Sequence, residues 1–451
     1  MGVPSPFSQN ACQATRRQFL RGGAALAIAA SSNTSIAAQS APDWAAIRGR
    51  FSFLPGLTYL NSGSEGSLPT AMQHRLAGLV AKWSASPSWA SFSDPLMDLA
   101  QTANRGRMAA FIGAPPTDVV ITDNTTMGLG MVVLGLPFAT GDEVLTTQQE
   151  HPALLSPLAV ASLRSGIVIN QLPLPSPATS DEQIVEIFRA AITPRTRAMC
   201  FSHITWTTGL RMPVAELCAL ARQHGLLTVV DGAHGLGMID LDIPALGCDF
   251  YSCAGHKWFN GPPATGILYI RDATGNPWKL APIISEGGVL MGPGFTIADA
   301  LQMRGSTNGP NFAVLAAMAD FEDSIGKTAI EARILSLAAI VKERAAAIWG
   351  NACVYSPPAS NIALSSGLSA FVPSHDPAAP FNPNFVPTLA EALVQKHGIW
   401  VRSTTFPSPA GSPGPKITTL RASTNIFNNT TDIDRMFSAI SEETKLLNTR
   451  N

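Results

Sequence analysis

The chain has 451 residues, enough for two or three domains around a sizeable core. Hydrophobic residues make up 46% and charged residues 14%, which excludes a disordered chain, and a net charge of −1 advertises no basic face for nucleic acid. Of six cysteines, Cys12 lies near the amino terminus. The other five (Cys200, Cys218, Cys248, Cys253 and Cys353) are irregularly spaced in mostly apolar runs, which argues against a disulfide framework. There is no Cys-x-x-Cys pair and no His-Glu-x-x-His, so no metal site is expected.

Arg16-Arg17 precede Phe19-Leu20, a weakly apolar run from Gly22 to Ala30, and small residues at Ser35-Ile36-Ala37. This order resembles a twin-arginine export signal over residues 1–37. It implies passage through the twin-arginine translocase and a periplasmic or exported address. The apolar run is too short to span a bilayer, so no permanent membrane anchor is expected. Loss of the three leader arginines would take the net charge from −1 to −4.

Asp43 to Leu54 reads as a short amphipathic segment, followed by a glycine-rich loop from Tyr59 to Gly66. Helical spacing covers Met72 to Trp83 and Leu96 to Phe111, and Pro115-Pro116 ends it. Strands and helices then alternate. Val119 to Thr122 is a strand, and Asn124 stands where a helix N-cap belongs, with Thr125 and Thr126 in the first helical turn. That end suits a phosphate, though the threonines could equally serve only as a cap. Strands follow at Glu143 to Thr146, Ile167 to Ile169 and Ala198 to His203, with helices at Leu155 to Leu163, Asp181 to Ile192 and from Pro213 to Gly225. This alternation predicts parallel βαβ units that gather ligands at the carboxyl ends of their strands, where Asp231, His151 and His203 fall.

The stretch Leu226 to Ile270 organises the rest. Leu226-Leu227-Thr228-Val229-Val230 ends in Asp231; Gly232-Ala233-His234-Gly235 turns; a second apolar run leads to Gly255-His256-Lys257-Trp258; and Gly266 to Ile270 returns as a strand. An acid at one strand end and a lysine after the next is the pair that pyridoxal phosphate chemistry requires. The lysine forms a Schiff base with the aldehyde, and the carboxylate keeps the pyridine nitrogen protonated. Taken singly, either residue is better explained by ordinary structure.

These blocks, with Tyr59-Leu60-Asn61, Asn124-Thr125-Thr126, Glu150-His151-Pro152-Ala153, Gly305-Ser306-Thr307 and Arg421-Ala422-Ser423, resemble fold-type I pyridoxal-phosphate enzymes of the aminotransferase class V family, and look closest to its isopenicillin N epimerase-like branch. The resemblance implies an α/β large domain with a mostly parallel seven-stranded sheet flanked by helices, plus a smaller α+β C-terminal domain. It divides the chain into an N-terminal segment packing on both domains (43–104), a large cofactor-binding domain (105–310), a linking helix (311–350) and the small domain (351–451). It also implies pyridoxal 5′-phosphate as cofactor, with Lys257 as the Schiff-base lysine and base, Asp231 on the pyridine nitrogen, His151 stacked on the ring and His234 on the ring hydroxyl. Thr125, Thr126 and His256 would hold the phosphate, with Thr205 among the cofactor-binding residues. In a homodimer, Gly305 and Ser306 would reach the phosphate from the neighbouring subunit. Arg421 would clamp the substrate carboxylate beside Asn61.

Two departures matter. Gly398 to Pro409 lacks the cysteine that desulfurases of this group carry, so sulfur transfer is not expected. Ala254 replaces a phosphate-binding serine, which could shift phosphate contacts onto Ser252 or Cys253, and Trp206 stands where some relatives have asparagine. The expected substrate is an amino acid or peptidyl amino acid. Transamination is the first expectation, with siderophore side-chain tailoring as one role it could serve; epimerisation, lyase chemistry and a non-catalytic exported binding protein stand as alternatives.

Overall fold

The computed structural model describes residues 41–286, 294–408 and 415–448; the expected export signal and the Gly287-Gly288 pair lie outside them. After a short helix (Trp44–Arg48) and strand β1 (Thr58–Tyr59), the chain builds a seven-stranded sheet. Its strands are β2 (Val119–Thr122), β3 (Glu143–Thr147), β4 (Val168–Leu172), β5 (Thr196–Ser202), β6 (Leu227–Asp231), β7 (Phe250–Ala254) and β8 (Gly266–Ile270). They lie in the order β2-β8-β7-β6-β5-β3-β4, and β8 alone runs antiparallel to its neighbours. Every residue of β6, β7 and β8 is buried, as expected of central strands covered by helices on both faces. Ser202 of β5, Asp231 of β6 and Ser252 of β7 lie side by side in register, so the acid stands at the middle of the sheet's carboxyl edge.

Crossover helices Thr125–Gly135, Pro152–Ser165, Asp181–Ala191 and Val214–Gln223 follow β2, β3, β4 and β5, close to their predicted bounds. The early helical region differs from expectation. Thr70–Ala85 extends the first helix at both ends, Pro87–Phe92 adds a short one, and the predicted Leu96 to Phe111 helix begins only at Thr102. The Asp94 carboxylate accepts the Leu96 amide at 2.9 Å, and Gln101 takes φ of 54°, so this stretch turns before it can coil.

Helices Gly309–Ile325 and Lys327–Trp349 are separated at Gly326, whose φ of 97° stops the first. Beyond them β9 (Leu368–Phe371), β10 (Ile399–Trp400), β11 (Arg402–Pro407) and β12 (Lys416–Ser423) complete the strands, and β11-β12-β9 form an antiparallel sheet. Helices Phe385–His397 and Thr430–Asn448 accompany it, around a core that includes Phe371, Leu389, Leu393, Leu420, Met436 and Ile440. β1 pairs in parallel with β10, and Asn61 bridges Ser423 at the end of β12. The glycine-rich loop after β1 is thereby carried to the carboxyl edge of the large sheet, where Gly66 N–H donates to the His256 carbonyl at 2.6 Å. Among the described residues no helix is long and apolar enough to cross a membrane.

Candidate active site

A cavity of about 230 Å³ opens at that carboxyl edge, lined among others by Asp231, His234, His256, Lys257, Thr125, Thr126, His151 and Arg421. Residues from opposite ends of the chain therefore meet in one place.

The cavity floor comes from strand ends. One Asp231 oxygen accepts the Ala233 amide at 2.9 Å, which fixes the carboxylate and leaves the other oxygen for a ligand N–H. Burial raises its proton affinity, and Lys257 acts in the opposite sense. The indole N–H of Trp258 donates to His234 Nδ1 at 3.0 Å. Burial pushes the His234 pKa well down, so the ring is neutral and its remaining proton sits on Nε2, free to donate. The Lys257 amine has no hydrogen-bond partner among the described residues. Burial lowers its pKa from 10.5 to about 8, Asp231 opposing and Arg421 assisting.

At one end the cavity meets the helix Thr125–Gly135. The Asn124 side chain accepts the Met127 amide at 2.9 Å, so the Thr125 and Thr126 amides, which have no intrahelical acceptor, remain for a ligand. The buried Thr125 hydroxyl oxygen has no partner either. His256 donates from Nδ1 to the Thr265 carbonyl at 3.2 Å, which sets its ring beside this end. An amine that burial inclines to its neutral form, a carboxylate, an imidazole N–H and a helix terminus with an orphaned hydroxyl together fit an aldehyde, a pyridine N–H, a ring hydroxyl and a phosphate.

The opposite wall is cationic. Arg421 is 1% exposed, donates to the Trp206 carbonyl at 2.7 Å, and leaves its Nε unpartnered. Burial first, then Arg402, pushes its pKa down to about 9. Arg402 and Arg421 are direct cross-strand partners on β11 and β12, both line the cavity, and neither forms an ion pair among the described residues. The Arg402 guanidinium lies 5.7 Å from the centre of the Trp206 ring and donates to the Ser64 hydroxyl at 3.0 Å. His151 packs edge-on against Trp206, with ring centres 5.3 Å apart, and accepts the Ala153 amide at Nδ1. Burial, with Lys257 next, lowers its pKa to about 4, so it is a neutral ring carrying its proton on Nε2.

Several expected residues fall elsewhere. Thr205 does not line the cavity: its hydroxyl bonds Thr208 and accepts the Leu210 amide at 3.0 Å, closing a local turn. His203, expected at the ligand edge, is buried against the Tyr251 hydroxyl at 2.9 Å. Ser252 donates to the Thr125 carbonyl and Cys253 is fully buried, so neither supplies a phosphate donor in place of the hydroxyl that Ala254 lacks. Asn61 lines a neighbouring cavity and reaches Arg421 Nη2 at 3.5 Å, placing it behind the arginine. Gly305 and Ser306 do not line their own chain's cavity, and the expectation for them concerns a second copy. Sequence reading missed Arg402, Ser64 and Glu65, all cavity-lining; no spacing pattern singles out Arg402, whose place opposite Arg421 is set by the β11–β12 register.

The aminotransferase class-V family matches residues 59–436. The chain belongs to the aminotransferase class-V family. Isopenicillin N epimerase of Amycolatopsis lactamdurans is 32% identical over 427 residues, covering 89% of this chain and 99% of the relative. The Streptomyces clavuligerus protein of the same name is 29% identical over 88% of this chain and 98% of its own length. A probable cysteine desulfurase of Pseudomonas aeruginosa is 37% identical, but over only 48% of this chain and 54% of its length. Among solved structures, the apo cysteine desulfurase of Thermococcus onnurineus superposes with a TM-score of 0.74 at 23% identity, over 89% of this chain and 98% of that one. The cystine C-S lyase C-DES in complex with cysteine persulfide gives 0.71 at 23% identity, over 86% and 98%. Class-V enzymes are pyridoxal-phosphate-dependent proteins of fold type I, and the fold described above is of that type.

Proposed function

We propose that this class-V enzyme moves the α-hydrogen of an amino acid, free or part of a larger molecule, and that inversion at Cα is the outcome. One observation carries the reading: two proton carriers, the Lys257 amine and the His151 Nε2–H, line the same cavity as the carboxylate-seeking Arg421. Pyridoxal phosphate supplies an electron sink that makes the α-hydrogen of an attached amino acid acidic. Asp231 would hold the pyridine N–H, His234 Nε2–H the ring oxygen, and the Thr125 and Thr126 amides with His256 the phosphate. Arg421 would orient the substrate through a bidentate grip on its α-carboxylate. Lys257, with its pKa lowered to about 8, has an unprotonated fraction near neutral pH with which to take a proton. Inversion needs a second group to deliver a proton on the other side, and His151, which must be protonated to act as that acid, is the cavity-lining imidazole left for the task. Transamination, the first expectation from sequence, would require Lys257 alone. The two relatives named as epimerases, matched over 98–99% of their length, support inversion.

The test is incubation of the holoenzyme with single enantiomers in deuterated water. Appearance of the opposite enantiomer, deuterated at Cα and without keto acid, is expected. Stoichiometric keto acid would overturn inversion in favour of transamination. Export and dimerisation are part of the proposal: the arginine pair at Arg16-Arg17 supports the first, checked by fractionating cells that express the Arg16→Lys, Arg17→Lys chain. The Gly305-Ser306 loop supports the second, checked by light scattering.

A further inference from the structure

Glu150 is a buried carboxyl group that the reaction above does not use. It follows β3 and immediately precedes His151. Both of its oxygens are taken by hydroxyl groups: Oε1 accepts from Thr147 at 2.7 Å, and Oε2 accepts from Ser202. The Thr147 oxygen in turn accepts the Gln149 amide at 3.2 Å, which leaves the Thr147 proton for Glu150. Two accepting oxygens, with nothing placed to receive a carboxyl proton, describe a seat for an anion. Yet no lysine, arginine or histidine pairs with Glu150 among the described residues, and a buried charge without a counterion is costly. The sheet shows where a counterion belongs. β5 lies between β3 and β6, and Ser202, which holds Glu150 on one side, is the register partner of Asp231 on the other. One interstrand spacing, about 4.8 Å, separates those two backbones. The ionisable groups around Glu150 are Asp231 on β6 and the Cys200 thiol on β5, which burial pushes up and keeps neutral. Lys257 lies beyond Asp231 and acts on that carboxylate.

We propose that Glu150 is a positioning residue for the cofactor: an anion in the loaded enzyme, it acts through Asp231 to strengthen the hold of the pyridine nitrogen on its proton. The inference rests on the pyridoxal phosphate assignment and not on inversion at Cα, so it stands whichever product forms. A positive ring nitrogen against Asp231 is the charge that this end of the sheet otherwise lacks. Two carboxylates behind one ring favour its protonated form over a wider pH range than Asp231 alone. Burial raises the Glu150 pKa from 4.5 to about 7; the two hydroxyls oppose that rise, and Asp231 adds to it. In the apoprotein, Glu150 therefore loses its proton as pH rises through about 7. A pyridinium that offsets the Asp231 charge lowers that midpoint, and by linkage the ionised Glu150 favours the pyridinium to the same degree. The proton that Glu150 gives up on loading goes to solvent.

The experiment compares wild-type holoenzyme with Glu150→Gln, which keeps the size of the side chain and removes its charge. Two quantities are read. The first is the pH midpoint at which the cofactor absorption band changes, since a nearby anion raises the proton affinity of the bound cofactor. Glu150→Gln should lower this midpoint by about one pH unit, a tenfold loss of proton affinity. The second is the infrared carbonyl stretch of protonated carboxyl groups, taken as a difference between apoprotein and holoenzyme at about pH 6.5, just below the apoprotein midpoint. Wild-type protein should lose such a band on loading, and Glu150→Gln should show no corresponding loss. Ser202→Ala is a second variant in case Glu150→Gln does not fold. It keeps the carboxyl group and removes one hydroxyl that favours its charge, so the absorption midpoint should fall by a smaller step. Equal absorption midpoints in wild type and Glu150→Gln would overturn the proposal, and so would a wild-type carboxyl band that loading leaves unchanged. A Glu150 that serves only as structure would speed cofactor loss or lower the Tm of the variant while its midpoint stayed in place, and that result also overturns the proposal.

Discussion

The two sides of the cavity are built differently. The cofactor side is made from consecutive strand ends and one helix terminus, with Asp231 and His234 buried and held by hydrogen bonds such as Trp258 to His234. The substrate side is assembled from residues 63–65, 206, 402 and 421, and includes the exposed Arg402. The first is a fixed chemical fixture, while the second combines pieces that no local pattern ties together. A scaffold of this kind can keep one chemistry and change its substrate by altering a few distant residues.

Substitutions on the two sides should differ in size and in kind. Lys257→Ala should lower α-hydrogen exchange on the order of a thousandfold, measured by NMR in deuterated water, as expected for a lost general base. A loss under tenfold would mean that another base acts. Asp231→Asn should cost roughly a hundredfold in the same assay, with the cofactor still bound, because a preorganised charge is removed without opening the site. On the other wall, Arg421→Met should raise KM about tenfold to a hundredfold and change kcat less, the mark of lost ground-state binding. Reloading of apoprotein with pyridoxal phosphate should quicken about tenfold per pH unit below about 8 and level off above it, since only the neutral Lys257 amine attacks. A midpoint near the ordinary lysine value of 10.5 would show that burial does not depress it. The smallest contrast is in stability. Gly232→Ala places a Cβ 1.9 Å from the Tyr251 ring and should cost about 1–3 kcal/mol in denaturant unfolding, whereas Trp400→Ala, on a half-exposed side chain, should stay within about 0.5 kcal/mol.

What could be read beforehand follows the same division. β6 through β8 announce themselves as apolar runs because both faces are covered, and Asp231 and Lys257 are conspicuous as the charged residues that interrupt them. The helix cap at Asn124 is equally legible, since capping is a local effect. Arg402 is not, because its meaning lies in a β11–β12 register and in the lack of an ion-pair partner, neither of which sequence spacing encodes. Thr205 and His203 misled for the opposite reason. Polar residues near a strand end suggest a ligand site, yet here each is satisfied by a neighbour, Thr208 and Tyr251. The turn at Leu96 to Gln101 escaped because two aspartate side chains, Asp94 and Asp98, take backbone amides there and outcompete helical spacing.

Gly66 carries a consequence for how the enzyme is completed. A side chain there would stand 2.0 Å from the carbonyl oxygen of Lys257, and its amide already holds the carbonyl of the preceding histidine. The peptide bearing the reactive amine is thus clasped by a segment that leaves the ribosome long before it. Vitamin capture by this protein would therefore report that its first and middle portions have closed on each other, making the coloured holo form a marker of finished folding.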